Sequence, residues 1–260
     1  MAADLERLAR EVKGRKFKGV RDNLMAQAGI LRQLKGPEHI VLTDKLELEA
    51  RQETTVTSER ITLRESFTDT EKEALIADGA LIYIPKGETI PTQGEAQTRK
   101  GKPSFWFVVE AGHLVLAVPS RQVEMAIYPV PDKFFVPNSF DRSVEKQEEA
   151  VEKDAADLRK RLCQESIGEI IPDEASTLTD ITFQHLDATG KWLFGPDYVK
   201  AQELDWVYGR TKNPTNKAGS NVACVGRAGP DHGVDVSNGS RDHGARHIGA
   251  VRLVVPIETK

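Results

Sequence analysis

The segment Gly219-Ser-Asn-Val-Ala-Cys-Val-Gly226 has the pattern of a short β-strand between turns. Two later segments, Gly233-Val-Asp-Val236 and Ile248-Gly-Ala-Val-Arg-Leu-Val-Val255, show a similar pattern, with glycine and asparagine between the valine-rich runs. Valine favours strands, whereas glycine and asparagine favour turns. No helix signal follows residue 204. The C-terminal part of the chain is therefore predicted to be a β-region that presents a polar surface.

The middle of the chain predicts helices. Thr68-Asp-Thr-Glu71 fits a capping box and Gly79 fits the position after a helix end, so residues 69–78 are predicted to be helical. Asp141–Leu162 is the strongest helix prediction, because its apolar residues fall on one face. A further helix is predicted over Ser176–Leu186. Helices and strands in one chain indicate an α+β fold.

Several strands and one loop are predicted between these helices. Ala80–Ile84 has the composition of a buried strand, and Val123–Tyr128 is a second strand candidate. The polar segment Pro91–Pro103 is predicted to be a loop. Phe105–Val109 and His113–Val118 are apolar runs separated by a short glycine-containing segment, which is typical of a β-hairpin.

Residues 1–66 are predicted to be a helical or irregular N-terminal extension. Apolar spacing favours two helices within residues 1–35, and short strands are expected near 46–48 and 61–63. The basic run Lys13–Arg21 between the two helices is most simply a solvated loop. The alternative is a nucleic-acid or phosphate patch, but a single phenylalanine supplies little surface for base stacking.

Composition excludes several classes of protein. The formal net charge is −4, so the chain as a whole is not attracted to nucleic acid or to an anionic membrane, and no nucleic-acid partner is expected. No apolar run is long enough for a transmembrane helix, and no signal peptide is recognised. Two cysteines cannot build a disulfide scaffold. A cytoplasmic location is the default expectation.

Motifs for phosphate binding and for a nucleophile elbow are absent from the sequence. His232, His243 and His247 lie close together in the chain, and a metal site built from them is one alternative. Neighbouring glycines favour loops over the helix that such a site requires, so no metal and no cofactor are predicted. Cys224 lies inside a β-run and is expected to be a small buried residue and not a nucleophile.

One compositional anomaly points to a function. The segment from Ala218 to Ile257 contains no Lys, Glu, Gln, Met or Trp, although it keeps many Arg, Asp, His and Asn residues. Strands and turns disfavour Lys, Glu and Gln, which accounts for part of this gap. It does not account for the retention of Arg and Asp.

The chain resembles the C-type-lectin-fold variable proteins of diversity-generating retroelements. The resemblance rests on Val207-Tyr-Gly-Arg-Thr-Lys212, on the three segments quoted first, and on Gly249 with Val251-Arg-Leu-Val254, which match the closing pattern of that family. In the family, the C-terminal segment is rewritten at adenines, chiefly in Asn codons, and the resulting residue set leaves out Lys, Glu, Gln, Met and Trp. The resemblance covers roughly the last quarter of the chain, and weakly the strands between Ala80 and Val130.

The resemblance implies a C-type-lectin-like domain over residues 67–260, with a variable region at about 205–250. It implies a non-enzymatic protein that binds a macromolecule, with a protein as the favoured partner. The calcium motifs of sugar-binding lectins are absent here, so neither sugar nor calcium is implied. The alternative function is an enzyme of the formylglycine-generating type or a small metalloenzyme that uses the C-terminal histidines. That enzyme family uses a close cysteine pair, which Cys163 and Cys224 do not match.

Alternation along the strands separates scaffold from surface. Val234 and Val236 are predicted to point inward, whereas Asp235 and Ser237 are predicted to point outward. The predicted core residues of this region are Val234, Val236, Val251, Leu253 and Val255. The predicted ligand-binding residues are Tyr208, Arg227, Asp231, His232, Asp235, Ser237, Asn238, Ser240, Arg241, Asp242, His243, Arg246 and His247. No residue is predicted to be catalytic.

Overall fold

The computed structural model describes residues 62–109 and 114–258, which lie in the unit Ile61–Lys260. These residues form a mixed α+β structure with two β-sheets and six helices. The helices are α1 (Asp69–Ala77), α2 (Ile90–Arg99), α3 (Pro131–Phe134), α4 (Val144–Leu162), α5 (Ala175–Thr189) and α6 (Pro196–Ala201). The strands are β1 (Leu81–Tyr83), β2 (Phe105–Val108), β3 (Met125–Ile127), β4 (Ile167–Glu169), β5 (Tyr208–Pro214), β6 (Asn221–Gly229), β7 (Gly233–Ser240), β8 (Ile248–Gly249) and β9 (Leu253–Pro256). The predictions for residues 1–35, 46–48 and Lys13–Arg21 lie outside the described residues.

The first sheet has the strand order β1-β3-β9-β4, and all of its pairs are antiparallel. The last strand, β9, therefore lies in the middle of this sheet, where all four of its residues are buried. Leu63 extends the contact between the two ends of the described chain through a bridge to Ile257.

Arg252 fastens the start of β9 to helix α4. Its Nε and Nη2 donate to the two carboxylate oxygens of Asp154 at 2.7 and 2.9 Å, and its Nη1 donates to the carbonyl of Lys133 at 3.2 Å. A bidentate pair of this kind fixes direction as well as distance. The arginine of the closing Val251-Arg-Leu-Val254 pattern thus joins a helix to a sheet.

The second sheet has the strand order β2-β7-β6-β5-β8. Strands β5, β6 and β7 form an antiparallel meander, and the edge strands β2 and β8 pair in parallel with β7 and β5. Parts of β5, β6, β7 and β9 confirm the β-runs predicted after residue 204, which are Val207–Thr211, Val222–Val225, Val234–Val236 and Ala250–Ile257. The meander and the loop between β7 and β8 carry the predicted ligand-binding residues, so this sheet positions the candidate site.

The predicted core of the C-terminal region is confirmed. Val234, Val236, Leu253 and Val255 have no exposed surface, and Val251 is buried. Cys224 is also buried, as expected of a small apolar residue in a strand.

The three predicted helices are confirmed. In α1, Thr68 and Glu71 form the predicted capping box, and Gly79 has the positive φ that follows a helix end. Helix α4 buries the apolar face that its spacing predicted. Helix α5 ends at Gly190, which adopts the left-handed conformation.

Three predictions for the middle of the chain are wrong, namely the loop at Pro91–Pro103, the full burial of the strand at Ala80–Ile84 and the β-hairpin. The expected loop at Pro91–Pro103 contains helix α2, because Pro91 starts the helix and the buried Gln93 side chain donates to the carbonyls of Glu88 and Ser176. Packing of polar side chains against α5 thus outweighs a loop-like composition. The strand β1 is not buried throughout, since Leu81 is exposed.

The predicted hairpin is also wrong. Strand β2 exists, but it pairs in parallel with β7 instead of pairing with residues 114–118. Those residues form turns, in which Val115 fills the core and the Leu114 carbonyl accepts from Asn213 at 2.7 Å. An apolar run does not have to be a strand, since only Val115 of residues 114–118 is buried and periodicity alone does not identify a strand.

Candidate functional site

A lateral row of three residues lies at the centre of the candidate site. Tyr208 on β5 is opposite Gly226 on β6, and Gly226 is opposite Asp235 on β7. Because Gly226 has no side chain, the Tyr208 ring lies over it, and a Cβ at Gly226 would be 3.0 Å from a ring carbon of Tyr208. The Tyr208 hydroxyl consequently reaches across β6 and donates to Asp235 Oδ2 at 3.1 Å.

Asp235 is a buried carboxylate with an incomplete set of partners. It is only 3% exposed, and its Oδ1 has no hydrogen-bond partner among the described residues. Arg227 Nη1 lies 3.8 Å from Oδ2, which is too far for a hydrogen bond. Burial raises the pKa of Asp235, while the Tyr208 hydroxyl and the charges of Arg227 and His232 oppose that rise. Burial also raises the pKa of Tyr208, and the neighbouring Asp235 raises it further.

Aromatic and basic side chains surround this carboxylate. The Arg227 guanidinium lies 5.7 Å from the centre of the Trp206 ring, within the range of a cation–π contact. The His247 ring packs edge-on against both Trp206 and Tyr208, at centroid distances of 5.9 and 5.8 Å. Burial and the nearby Arg246 lower the pKa of His247, which favours its neutral form.

The neighbouring strand β2 adds a second tryptophan. The Trp106 ring meets the His232 ring edge-on at 5.8 Å, and His232 Nε2 lies 3.1 Å from the Arg227 carbonyl oxygen. We call the connected group the Asp235 cluster. It consists of Trp106, Trp206, Tyr208, Arg227, His232, Asp235 and His247.

Two of the predicted surface residues are buried, which corrects the sequence interpretation. Asp235 was expected to point outward and Tyr208 to be displayed, but they are 3% and 7% exposed. Alternation predicts that one face of a strand is exposed to solvent, but at Asp235 both faces of β7 are covered. The Tyr208 ring extends from β5 over Gly226 and covers Asp235, because Gly226 has no side chain in its path. Both residues therefore form the floor of the cluster.

The other predicted residues are mostly accessible. Arg227, Asp231, Asn238, Asp242, His243 and Arg246 are exposed, and His232, Ser237, Ser240, Arg241 and His247 are partly exposed. Arg227, His232 and His247 form the rim of the Asp235 cluster, and the exposed Arg246 pairs with Asp205 at 3.4 Å. Asp231 lies in the turn between β6 and β7.

The remaining predicted residues lie at the far end of β7 and in the loop that follows. They are Ser237, Asn238, Ser240, Arg241, Asp242 and His243. The buried Arg210 orders this loop, because its guanidinium donates to the carbonyls of Ser240 and Arg142 at 2.6 and 3.0 Å. Of the thirteen predicted residues, five therefore belong to the Asp235 cluster and six lie at the far end of β7 and in the loop that follows. The other two, Asp231 and Arg246, are next in sequence to the cluster residues His232 and His247.

The three C-terminal histidines have different surroundings. His232 contacts Trp106, His247 contacts Trp206, and His243 Nδ1 lies 3.0 Å from Ser240 Oγ. Within residues 62–109 and 114–258, no three His, Cys, Asp or Glu side chains are placed to hold a metal ion together. Cys163 is exposed and Cys224 is buried, and neither forms a disulfide.

Sequence reasoning missed three members of the site. Trp106 and Trp206 are 64% and 39% exposed, which is unusual for such a large apolar side chain. Trp106 falls inside an apolar run whose pattern predicts a hairpin strand, and Trp206 comes directly before the first predicted strand of the β-region. Gly226 was seen only as the end of a strand. The pairing of β6 with β5 and β7 is what shows its role, and no local pattern contains that information.

No protein-family model, no curated protein and no solved structure matches this chain. Among the described residues, no helix is both long and apolar enough to cross a membrane.

Proposed function

We propose that this chain is a non-enzymatic binding protein that recognises a macromolecule, in the first instance a protein, through its C-terminal surface. The proposed surface consists of the Asp235 cluster and the loop at the far end of β7. We further propose that the scaffold is C-type-lectin-like, and that this surface is the variable region of a retroelement-diversified protein.

The observation that carries the proposal is the convergence of the Asp235 cluster. Residues chosen from sequence alone meet two exposed tryptophans, although Trp106 and Trp206 come from distant parts of the chain. Tryptophan, tyrosine and arginine are the residues enriched at the energetic centres of protein interfaces. Exposed tryptophans on a surface that also carries Arg227 are therefore what a protein-binding site requires.

A second feature that favours a variable surface is the separation of core from rim. Val222, Val225, Val234 and Val236 are fully buried, whereas the arginines, histidines and aspartates of the intervening turns are mostly exposed. Substitutions at exposed positions usually change stability by no more than about 0.5 kcal/mol. A surface of this kind can change its chemistry while the fold is kept.

The scaffold proposal draws on the closing strand. The resemblance to the variable proteins includes an Arg-Leu-Val strand near the C-terminus, and the corresponding strand β9 occupies the middle of the first sheet. Arg252 holds that strand to α4. Variation in the second sheet therefore leaves the strand that closes the first sheet untouched.

A pair of display libraries tests the proposed function. The first library randomises Arg227, Asp231, Asn238, Asp242, His243 and Arg246. The matched control randomises the same number of exposed positions on helix α4, namely Glu145, Lys146, Glu149, Glu152, Lys153 and Asp157. We expect selection against several unrelated folded proteins to yield binders from the first library and few or none from the second. Equal yields from both libraries, or a first library whose members do not fold, would contradict the proposal.

A further inference from the structure

The floor of the Asp235 cluster carries a polar atom that the protein itself leaves without a partner. Asp235 Oδ2 accepts from Tyr208, but Oδ1 has no partner among residues 62–109 and 114–258, and the side chain is 5% exposed. Buried polar atoms are nearly always hydrogen-bonded, so each exception calls for an explanation such as strain or function. A carboxylate oxygen can only be satisfied by a donor, which restricts the chemistry of the missing partner.

The rings around this carboxylate favour a positively charged donor. Tyr208 is hydrogen-bonded to Asp235, and the Arg227 guanidinium lies near both the Asp235 carboxylate and the Trp206 ring. The His247 ring contacts Trp206 and Tyr208, and the Trp106 ring contacts His232. Aromatic faces attract cations, and a carboxylate next to them adds a charge-assisted hydrogen bond. A neutral donor gains the hydrogen bond to the carboxylate but not the attraction between a cation and the rings, and an anionic group gains neither.

Arg227 already shows this mode of binding within the chain. Its guanidinium lies 5.7 Å from the Trp206 ring centre and 3.8 Å from Asp235 Oδ2, so it contacts the same ring and the same carboxylate. It is nevertheless loosely held, because half of its side chain is exposed and its distance to Asp235 Oδ2 is longer than a hydrogen bond. The Arg227 backbone also has a φ of 42°, a conformation that few residues other than glycine adopt readily.

We infer that the Asp235 cluster binds a cationic side chain of the protein ligand, a guanidinium or an ammonium group, and that Arg227 occupies this place until the ligand displaces it. This inference rests on the proposed binding function and adds the chemical class that the cluster recognises. The ligand cation stacks on Trp206 and donates to Asp235, while Arg227 moves into solvent. The rim carries both positive and negative charges, and Arg246 is paired with Asp205. The buried carboxylate of Asp235 therefore determines the preference of the cluster for a cation.

The inference is tested with small probes on the full chain. N-acetylarginine amide is the cationic probe, and N-acetylcitrulline amide is its neutral counterpart of nearly the same shape. Binding is followed through the indole N–H signals of Trp106 and Trp206, with Trp192, the third tryptophan, as the internal reference. A single side chain should bind with a dissociation constant on the order of millimolar.

We expect the arginine probe to shift the Trp206 signal strongly and the citrulline probe to shift it far less, because citrulline lacks the positive charge. Asp235→Asn should weaken binding of the arginine probe by about tenfold, because one charge-assisted hydrogen bond is lost. Arg227→Gly removes the competing guanidinium and suits a positive φ, so it should tighten binding several-fold. Since Asp235 is buried, thermal unfolding of the Asn variant is measured alongside, and the exposed Arg227 position supplies the test if that variant is unstable.

Equal binding of the two probes would overturn the inference, as would weaker binding by Arg227→Gly. The inference is also overturned if neither probe binds the wild type or Arg227→Gly. None of these results affects the library selection, which depends on the surface as a whole. A failed library with successful probe binding would instead contradict the proposed function and keep the cation site.

Discussion

The hydroxyl of Tyr208 donates to the carboxylate of Asp235 at 3.1 Å, although an entire strand lies between the two residues. The contact exists because the intervening residue of β6 is Gly226, over which the tyrosine ring lies. A hydrogen bond that spans two strand pairings ties β5, β6 and β7 into one unit. It also forms the floor on which the exposed rim residues stand.

Gly226→Ala is expected to break this arrangement. The new Cβ would lie 2.2 Å from the Val207 carbonyl oxygen and 2.6 Å from the Tyr208 Cα, and backbone atoms cannot move aside cheaply. Overpacking of this kind costs about 1–3 kcal/mol and occasionally more. Gly101→Ala is the control, because its surroundings are open and only its positive φ opposes alanine, at about 1–2 kcal/mol. Urea unfolding should show the larger loss for Gly226→Ala, and the reverse order would disprove the steric account.

Tyr208→Phe is expected to destabilise the fold by about 1–3 kcal/mol, because it leaves a buried carboxylate without its donor. The same change should raise the pKa of Asp235, since the hydroxyl holds that pKa down. Tyr198→Phe is the matched control, because Tyr198 is buried but its hydroxyl makes no hydrogen bond to the described residues. Denaturant unfolding and a carboxyl carbon NMR titration measure the two effects. If Tyr208→Phe leaves both the free energy of unfolding and the pKa of Asp235 unchanged, this interpretation is contradicted.

Glu169 is predicted to make stability depend on pH. Its side chain has no exposed surface, neither of its oxygens has a hydrogen-bond partner in the described part of the chain, and Arg252 Nε is 3.6 Å from its Oε1. Burial raises the pKa of Glu169 to about 9 from an ordinary value of 4.5, Asp154 raises it further, and Arg252 opposes the rise. Between these two pH values the folded chain holds a proton that the unfolded chain releases.

The contribution of Glu169 to the free energy of unfolding is therefore fully present below pH 4.5 and decreases until the pH reaches about 9. The slope is about 1.4 kcal/mol per pH unit for one group. Glu169→Gln has the shape of the protonated side chain but does not titrate, so its stability does not fall with pH at this position. Between pH 5 and pH 8 the free energy of unfolding of the variant should therefore rise relative to that of the wild type by up to roughly 4 kcal/mol. Unfolding free energies across this range provide the measurement, with Glu152→Gln on the exposed face of α4 as the control. Parallel pH profiles for wild type and Glu169→Gln would rule out a buried neutral acid.

Scaffold and surface are expected to respond differently to alanine. Leu253→Ala should cost about 2–5 kcal/mol, because it removes a fully buried side chain and leaves a cavity. A variant with Asp231, Asp242, His243 and Arg246 all changed to alanine should keep nearly the wild-type melting temperature, since all four residues are exposed. If the fourfold variant unfolds as early as Leu253→Ala, these residues belong to a structural network and the surface is not free to vary.

The sequence predicted the elements of the C-terminal region well. The confirmed core of Val234, Val236 and Leu253 follows from period-two patterning, and the capping box at Thr68 follows from local chemistry. These features depend on neighbouring residues, which the sequence shows directly. The parallel pairing of β2 with β7 joins residues more than a hundred positions apart, and no local pattern encodes it.

The candidate site was predicted in part for the same reason. The rim residues Arg227, His232 and His247 were identified because the C-terminal segment keeps Arg and His while it lacks Lys, Glu and Gln. Asp235 was expected to be exposed, because alternation does not show that a tyrosine from another strand lies over a glycine and covers the carboxylate. Trp106 was missed as a surface residue because a tryptophan in an apolar run has the composition of a core strand.

The central claim is that the C-terminal surface varies while its scaffold is kept, and sequencing copies of this gene from related cells tests it most directly. The claim predicts that differences between copies concentrate between Tyr208 and His247. It also predicts that, within this segment, they fall on exposed positions such as Arg227, Asp231 and His243, and spare the buried Val222, Val225, Val234 and Val236. A reverse transcriptase gene with a near-identical repeat beside the 3′ end should accompany the variation. Differences spread evenly along the chain, or as frequent at the buried valines as at the exposed positions, would contradict the claim.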